Sequence, residues 1–146
     1  MSDTDRGPGV GEQGPVMPVP VPNFDNAEFW AGCAAGELRL QRCAGCGALR
    51  HPPKPMCPHC RSTAVEWQRA SGRGTVYSFT IVHRPTLAPF EPRVPYNVIV
   101  VQLDEGPYLV SNLVDCAPEA IRIGMRVEVV FERVNDALML PKFRPR

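Results

Sequence analysis

The chain has 146 residues, a formal net charge of +1, 44% hydrophobic residues and six cysteines. This length fits one or two small units and not a large enzyme, and no apolar run approaches the roughly 18 residues that cross a bilayer as a helix, so no membrane span is expected. The near-zero total hides a segregation: residues 38–73 hold seven Arg or Lys against Glu66 alone, residues 1–37 hold Arg6 against six acids, and residues 74–141 hold five Arg against eight acids. A basic segment beside an acidic body predicts a local anionic partner, either a phosphate-bearing ligand or an acidic protein surface.

Residues 1–22 are crowded with Gly and Pro, among them Gly7, Pro8, Gly9, Pro15, Pro18, Pro20 and Pro22, which predicts a disordered or extended arm. The start Met1-Ser-Asp-Thr-Asp lacks a charged segment followed by an apolar one, so no secretory leader is expected and the chain reads as cytoplasmic. In residues 23–37, Asn26 is placed to cap a short helix from Ala27 to about Ala35, with Phe29, Trp30 and Cys33 on one side and Gly36 as its stop.

Residues 38–70 read as a metal ribbon. Leu38 and Leu40 alternate with Arg39 and Gln41 as a short strand into Cys43-Ala-Gly-Cys46, and Val65 and Trp67 mark a matching strand after Cys57-Pro-His-Cys60. Two Cys-x-x-Cys knuckles ten residues apart can close a tetrahedral shell of four thiolates, Cys43, Cys46, Cys57 and Cys60, around one zinc ion. Such a shell leaves no open position for substrate, so the site reads as structural. Disulfides need an oxidising compartment, and a redox dithiol needs one such motif in a strand-to-helix turn, whereas here two occur with no helical period between them. Iron in a rubredoxin-like shell is the remaining alternative, because four thiolates suit both metals.

From residue 71 the period changes. Gly72-Arg-Gly74 breaks the chain, and strands are expected over Thr75–His83, Asn97–Leu103, Tyr108–Val114, Arg126–Glu132 and Leu138–Phe143, with a short helical or irregular piece at Pro118–Ile121. Five strands with that insertion give the order of a small oligomer-binding (OB) barrel over residues 71–146, although a small SH3-like barrel reads much the same. The expected class is therefore mainly β: a short N-terminal helix, a rubredoxin-like zinc ribbon, then a five-stranded OB-fold barrel. Val98-Ile-Val-Val101 is apolar on both faces, so its outer side is expected to be covered by protein, with Pro95 and Tyr96 beside it.

Phe29-Trp30, Leu40-Gln41-Arg42-Cys43-Ala-Gly-Cys46-Gly47, Pro52-Pro53, Cys57-Pro58-His59-Cys60, Trp67, Ser71-Gly-Arg-Gly-Thr-Val-Tyr77, Gly124-Met125 and Pro141-Lys-Phe-Arg-Pro145 follow one another along residues 23–146. This series resembles the bacterial and archaeal zinc-ribbon/OB-fold proteins associated with acyl-CoA metabolism. The resemblance implies a non-catalytic accessory subunit of a thiolase-superfamily enzyme, an acyltransferase or a steroid or acyl-CoA aldolase, with a thiolase-like protein as partner and a CoA thioester as the candidate small-molecule contact. No cofactor-binding residue beyond the metal set is assigned by it.

No catalytic residue is expected. Cys33 and Cys116 lie outside the metal set and read as core; His59 reads as exposed or as support for a ligand; His51 and His83 read as structural. Ser71, Ser78 and Ser111 have no motif placing a His and an Asp beside them. Two rivals remain. A single-stranded nucleic-acid binder would use the basic face of Arg39, Arg42, Arg50, Lys54, Arg61 and Arg73, with Tyr77 and Phe79 as stacking platforms, but the barrel is acidic and these aromatics read as core. A self-sufficient catalyst lacks a visible nucleophile and base.

Overall fold

The structure is a computed structural model, and it describes residues 16–146. The arm expected over residues 1–22 falls largely outside them. Residues 16–22 carry no regular structure, and Met17–Pro20 lie beside Arg133, Val134 and Leu140.

Helix α1 runs Ala27–Ala34. Its C-terminus closes as the sequence requires: Gly36, at φ +74°, donates to Cys33 C=O at 3.0 Å, and Glu37 N–H reaches Gly32 C=O at 2.8 Å, so the last carbonyls find partners through one left-handed residue. The N-terminus differs from expectation. Asn26 makes no side-chain cap; its Oδ1 accepts from Asn23 N–H at 2.7 Å, while Asn23 Oδ1 accepts from Asn26 N–H at 3.1 Å, so the two asparagines tie the turn before the helix to itself.

The ribbon is a three-stranded antiparallel sheet in the order β2-β1-β3, with β1 Arg39–Cys43, β2 Leu49–Arg50 and β3 Val65–Arg69. The second sheet has five antiparallel strands, β6-β5-β4-β7-β8: β4 Arg73–Val82, β5 Tyr96–Leu103, β6 Tyr108–Ser111, β7 Arg126–Arg133 and β8 Met139–Pro145. A short 3-10 turn, Pro118–Ala120, sits between the third and fourth of these strands, as expected. The third strand stops at Ser111 instead of running to Val114. There the chain leaves β5 and meets β8 in parallel: Leu113 bridges Phe143, Val114 N–H donates to Phe143 C=O at 2.7 Å, and Phe143 N–H donates to Asn112 C=O at 3.0 Å. That contact curls the sheet and ties its edges, which is the OB arrangement. Asn97 secures the corner, its side chain giving Leu113 C=O a bond of 2.8 Å and taking one of 2.6 Å from Leu113 N–H.

One apolar cluster runs through all three parts: Phe29 and Cys33 from α1, Leu38, Leu40 and Ala70 from the ribbon, and Val76, Ile99, Val101, Leu103, Leu109, Leu113, Ile121, Val127 and Phe143 from the barrel. The alternation along β5 decides its faces. Ile99 and Val101 are fully buried, so Val98 and Val100 point outward. A register shift between Val76 and Ser78 separates the two aromatics of β4 that the sequence puts on one face. Phe79 packs against the core, whereas Tyr77 is 56% exposed and meets Tyr108 edge to face at 5.0 Å.

Candidate metal centre and the cleft beside it

Each knuckle is a tight turn built the same way. Gly47 N–H donates to Cys43 C=O at 2.8 Å and Arg61 N–H to Cys57 C=O at 2.9 Å; Cys43 N–H donates to Ala48 C=O and Cys57 N–H to Ser62 C=O, both at 2.9 Å. The residue after each second cysteine has positive φ, +75° at Gly47 and +61° at Arg61. Glycine occupies that conformation without cost, and Arg61 adopts it because the knuckle geometry overrides its preference. The two turns face each other closely: a Cβ added at Gly45 would sit 3.1 Å from Ser62 Cβ and 3.4 Å from Cys60 Sγ.

The structure brings all four expected sulfurs together, with the ligand atoms of Cys43, Cys46, Cys57 and Cys60 within 4.8 Å of one another. Cys43 Sγ lies 3.5 Å from Cys60 Sγ and Cys46 Sγ 3.7 Å from Cys57 Sγ, and all are free thiols. A zinc–sulfur distance of about 2.3 Å in a tetrahedron requires sulfurs about 3.8 Å apart, so this donor set fits one zinc ion with little adjustment. The electrostatics point the same way. The backbone N–H of Cys46 pulls the Cys43 thiol down to about 6, and that of Cys60 lowers Cys57. The Ser62 N–H favours the Cys60 thiolate most strongly, but the Cys43 sulfur, burial and the Cys46 and Cys57 sulfurs together outweigh it and lift that thiol to about 11. Several thiolates at this range repel one another, and a divalent cation removes that repulsion. Cys43 and Cys57 are buried and Cys46 and Cys60 exposed, so each knuckle contributes one buried and one exposed cysteine.

The remaining cysteines and histidines lie in different surroundings. Cys33 is fully buried in the core, where burial pushes its thiol up to about 12; Cys116 is half-buried against the same core, with Sγ 3.6 Å from Ala117 C=O. His59 and His83 are exposed. The basic face expected from six residues is broken: Arg39 is held by Glu28 at 2.6 Å and Glu37 at 2.9 Å, and Arg50 is only 8% exposed. Sequence counting locates charge but not the acid that neutralises it.

What the sequence left unmarked is a cleft of about 600 Å³ between ribbon and barrel, lined by Leu49, Arg50, His51 and Lys54 on one side and Glu105 and Tyr108 on the other. Arg50 Nε donates to Gln41 Oε1 and its Nη2 to Lys54 C=O at 3.2 Å, but Nη1 has no partner. His51 Nδ1 and Glu105 Oε2 are likewise buried and unpaired. Each such group costs about 1–3 kcal/mol, more when charged. The only sequence signal for the cleft is a basic strand end meeting an acidic turn, too common to single out.

His51 also supplies a pH dependence. Its ring packs on Phe29 with centroids 5.0 Å apart, and burial holds its pKa down to about 4, below its ordinary 6.5. The folded chain therefore keeps this imidazole neutral, while the unfolded chain protonates it near 6.5, so the stability it contributes is complete above that value and is lost as pH falls towards 4. Urea midpoints of the wild type and His51→Phe, both zinc-loaded, are expected to converge or cross between pH 7 and 5. A difference constant over that range would contradict this role.

Comparison with known proteins places the chain. A family model described as "ChsH2, rubredoxin-like zinc ribbon domain" matches residues 30–66, and one described as "ChsH2, C-terminal OB-fold domain" matches residues 67–132. The chain is 45% identical over 130 residues to a "probable enoyl-CoA hydratase alpha subunit" of Thermomonospora curvata, covering 89% of this chain and 40% of that protein. It is 42% identical over 105 residues to a "DUF35 domain-containing scaffold protein" of Pyrococcus furiosus, covering 68% of this chain and 76% of the relative. Thus it spans most of the scaffold proteins but well under half of the hydratase subunit it matches. Among solved structures, a chain described as "Ltp2-ChsH2(DUF35) aldolase" superposes with a TM-score of 0.79 at 45% identity, covering 87% of this chain and 98% of that one. A DUF35-family protein of Sulfolobus solfataricus shares the fold at 14% identity, with a TM-score of 0.60. With both halves matched in order and its four sulfurs gathered as a zinc ribbon requires, the chain belongs to the ChsH2/DUF35 family of zinc-ribbon and OB-fold proteins.

Proposed function

We propose that this chain is an accessory subunit without catalytic residues of its own, holding one zinc ion through Cys43, Cys46, Cys57 and Cys60 and serving a thiolase-superfamily enzyme that acts on acyl-CoA thioesters. The observation that carries the reading is the 45% identity, over nearly all of its length, to a solved chain whose description joins an aldolase to a ChsH2 (DUF35) component. The scaffold names of the archaeal relatives support a non-catalytic role, and the "3-oxo-4,17-pregnadiene-20-carboxyl-CoA hydratase alpha subunit" of Mycobacterium tuberculosis, 38% identical over 116 residues, supports the link to CoA thioesters. Chemistry agrees: four sulfurs saturate a tetrahedral zinc ion, so the metal would hold the ribbon together and offer no position to substrate. The nucleophile and base would belong to the partner.

The outer face of β4, β5 and β6 is the natural contact for such a partner. Tyr77, Tyr108 and Val110 are 56%, 44% and 67% exposed, and Val98 and Val100 continue the apolar surface. Replacing Val110 by Arg is expected to weaken association about tenfold or more while shifting stability by less than about 0.5 kcal/mol. Val101→Arg, pointing into the core, is expected to prevent folding instead. Tagged protein captured from its native host, with co-eluting chains identified by mass spectrometry, tests the reading. A thiolase-type chain retained by wild type and lost with Val110→Arg is expected; recovery of nucleic acid alone would favour the rival reading.

A further inference from the structure

We propose that the pocket at the seam between β6 and β8 takes an extended peptide segment of the partner enzyme, which adds to the edge of β6 and lodges one apolar side chain in the pocket. The inference rests on the accessory-subunit reading above and names how the partner is held. Its starting observation is a seam that closes at one end only. Leu113 bridges Phe143 in parallel, with Phe143 N–H on Asn112 C=O and Val114 N–H on Phe143 C=O. One step earlier in such a ladder residue 141 would give its N–H to Val110 C=O, but Pro141 has no N–H to give.

The phase of each strand turns these groups towards the seam. Val134 N–H donates to Leu138 C=O and Arg146 N–H to Arg126 C=O, so Leu140 and Lys142 bond β7 and the backbone of Pro141 faces β6. Leu103 N–H donates to Pro107 C=O, so Leu109 and Ser111 bond β5, and the N–H and C=O of Tyr108 and Val110 face away from it. β6 ends its sheet, and among the described residues no strand other than β5 pairs with it. Pro141 C=O instead accepts from Ser111 Oγ at 2.7 Å, which holds the two strands side by side without a ladder.

The seam opens into a pocket of about 300 Å³, walled by Phe29 and Trp30 of α1, Pro52 and Pro53 of the ribbon, and Val110 and Pro141 beside the seam. Phe29-Trp30, Pro52-Pro53 and Pro141-Lys142 belong to segments that carry the resemblance outside the cysteines, and the fold gathers them here. Small-molecule sites span about 300–1,000 Å³, so this pocket stands at the lower end, with room for an anchor side chain. The free edge selects the occupant. An acyl chain would fill the apolar walls and leave Val110 N–H and C=O without partners, whereas an extended peptide brings a donor and an acceptor at strand spacing along with its side chain. The pocket also continues the face assigned to the partner, since Val110, 67% exposed, belongs to both.

The test is amide hydrogen exchange at Tyr108 and Val110 in the zinc-loaded chain, alone and mixed with the thiolase-type enzyme proposed as its partner. Pro141→Val, which restores the missing donor and lets the seam close, is compared for binding, and decanoate is titrated into the isolated chain as the acyl probe. The expected result is exchange slowed about a hundredfold or more at both amides in the complex, and binding about tenfold weaker for Pro141→Val at an unchanged or higher melting temperature. Decanoate is expected to leave the Trp30 indole signal where it is. A complex in which both amides exchange as fast as in the isolated chain would overturn strand addition while the accessory reading stands; no complex at all would remove both. Saturable movement of the Trp30 signal by decanoate, with Val110 N–H still exchanging freely in the complex, would make the pocket an acyl site instead. The exchange readout uses wild type, so it decides the matter even where Pro141→Val does not fold.

Discussion

Cys46→Ser is expected to release the metal and unfold the ribbon. Structural zinc supplies on the order of 10 kcal/mol to such modules, and three sulfurs with a hydroxyl hold the ion far less tightly. The effect should spread beyond the ribbon sheet. Leu38, Leu40 and Ala70, with Phe29 and Cys33 of α1, belong to the same apolar cluster as Leu109, Leu113 and Phe143, so losing the ribbon removes part of the core that the barrel shares. Wild type is expected to contain one zinc per chain by elemental analysis, and the variant to contain none and to lose its cooperative thermal transition. Stoichiometric iron in wild type, or a metal-free variant of native stability, would contradict the assignment.

Among truncations of core side chains that leave the metal alone, Phe143→Ala should be the most damaging. The ring is fully buried where β8 meets the Leu113 bridge, and both backbone groups of Phe143 make the bonds that tie the barrel's edges. Deleting a buried phenyl costs about 3–5 kcal/mol, a large share of the stability of a chain this size, and the melting temperature should fall by about 10 °C or more. Phe143→Leu, which keeps most of the volume, should cost about 1.5 kcal/mol or less. Melting curves of the three zinc-loaded proteins decide it; an alanine variant within 1 °C of wild type would show that this corner does not close the barrel.

The sequence declares the metal site because its signal is local: cysteine spacing and the knuckle glycines suffice to place four sulfurs, and the structure gathers all four. Strand order was legible for the same reason, since each strand carries its own period. What failed to show depends on contacts between distant segments. The end of β6 at Ser111 follows from pairing with Phe143, 32 positions away from it in the chain. The register shift in β4, which turns Tyr77 outward, comes from fitting that strand to β5 and leaves no mark in its composition. Arg39 and Arg50 counted as surface charge until their neighbours were placed, one among acids and the other inside the fold. Asn26 looked like a cap because the residue type suits one; Asn23 competes for its side chain. The cleft of Arg50, His51 and Glu105 is the extreme case, assembled from three ordinary residues that share no motif.

The central claim is that the chain assists catalysis and does not perform it. The most direct measurement is turnover of an acyl-CoA substrate by the thiolase-type enzyme proposed as its partner, as acyl transfer or retro-aldol cleavage, assayed with and without this protein and alongside the isolated chain. The account predicts no turnover by the isolated chain and a rate from the partner that rises when the chain is added and falls back with Val110→Arg. Turnover by the isolated chain, or a partner indifferent to its presence, would contradict it.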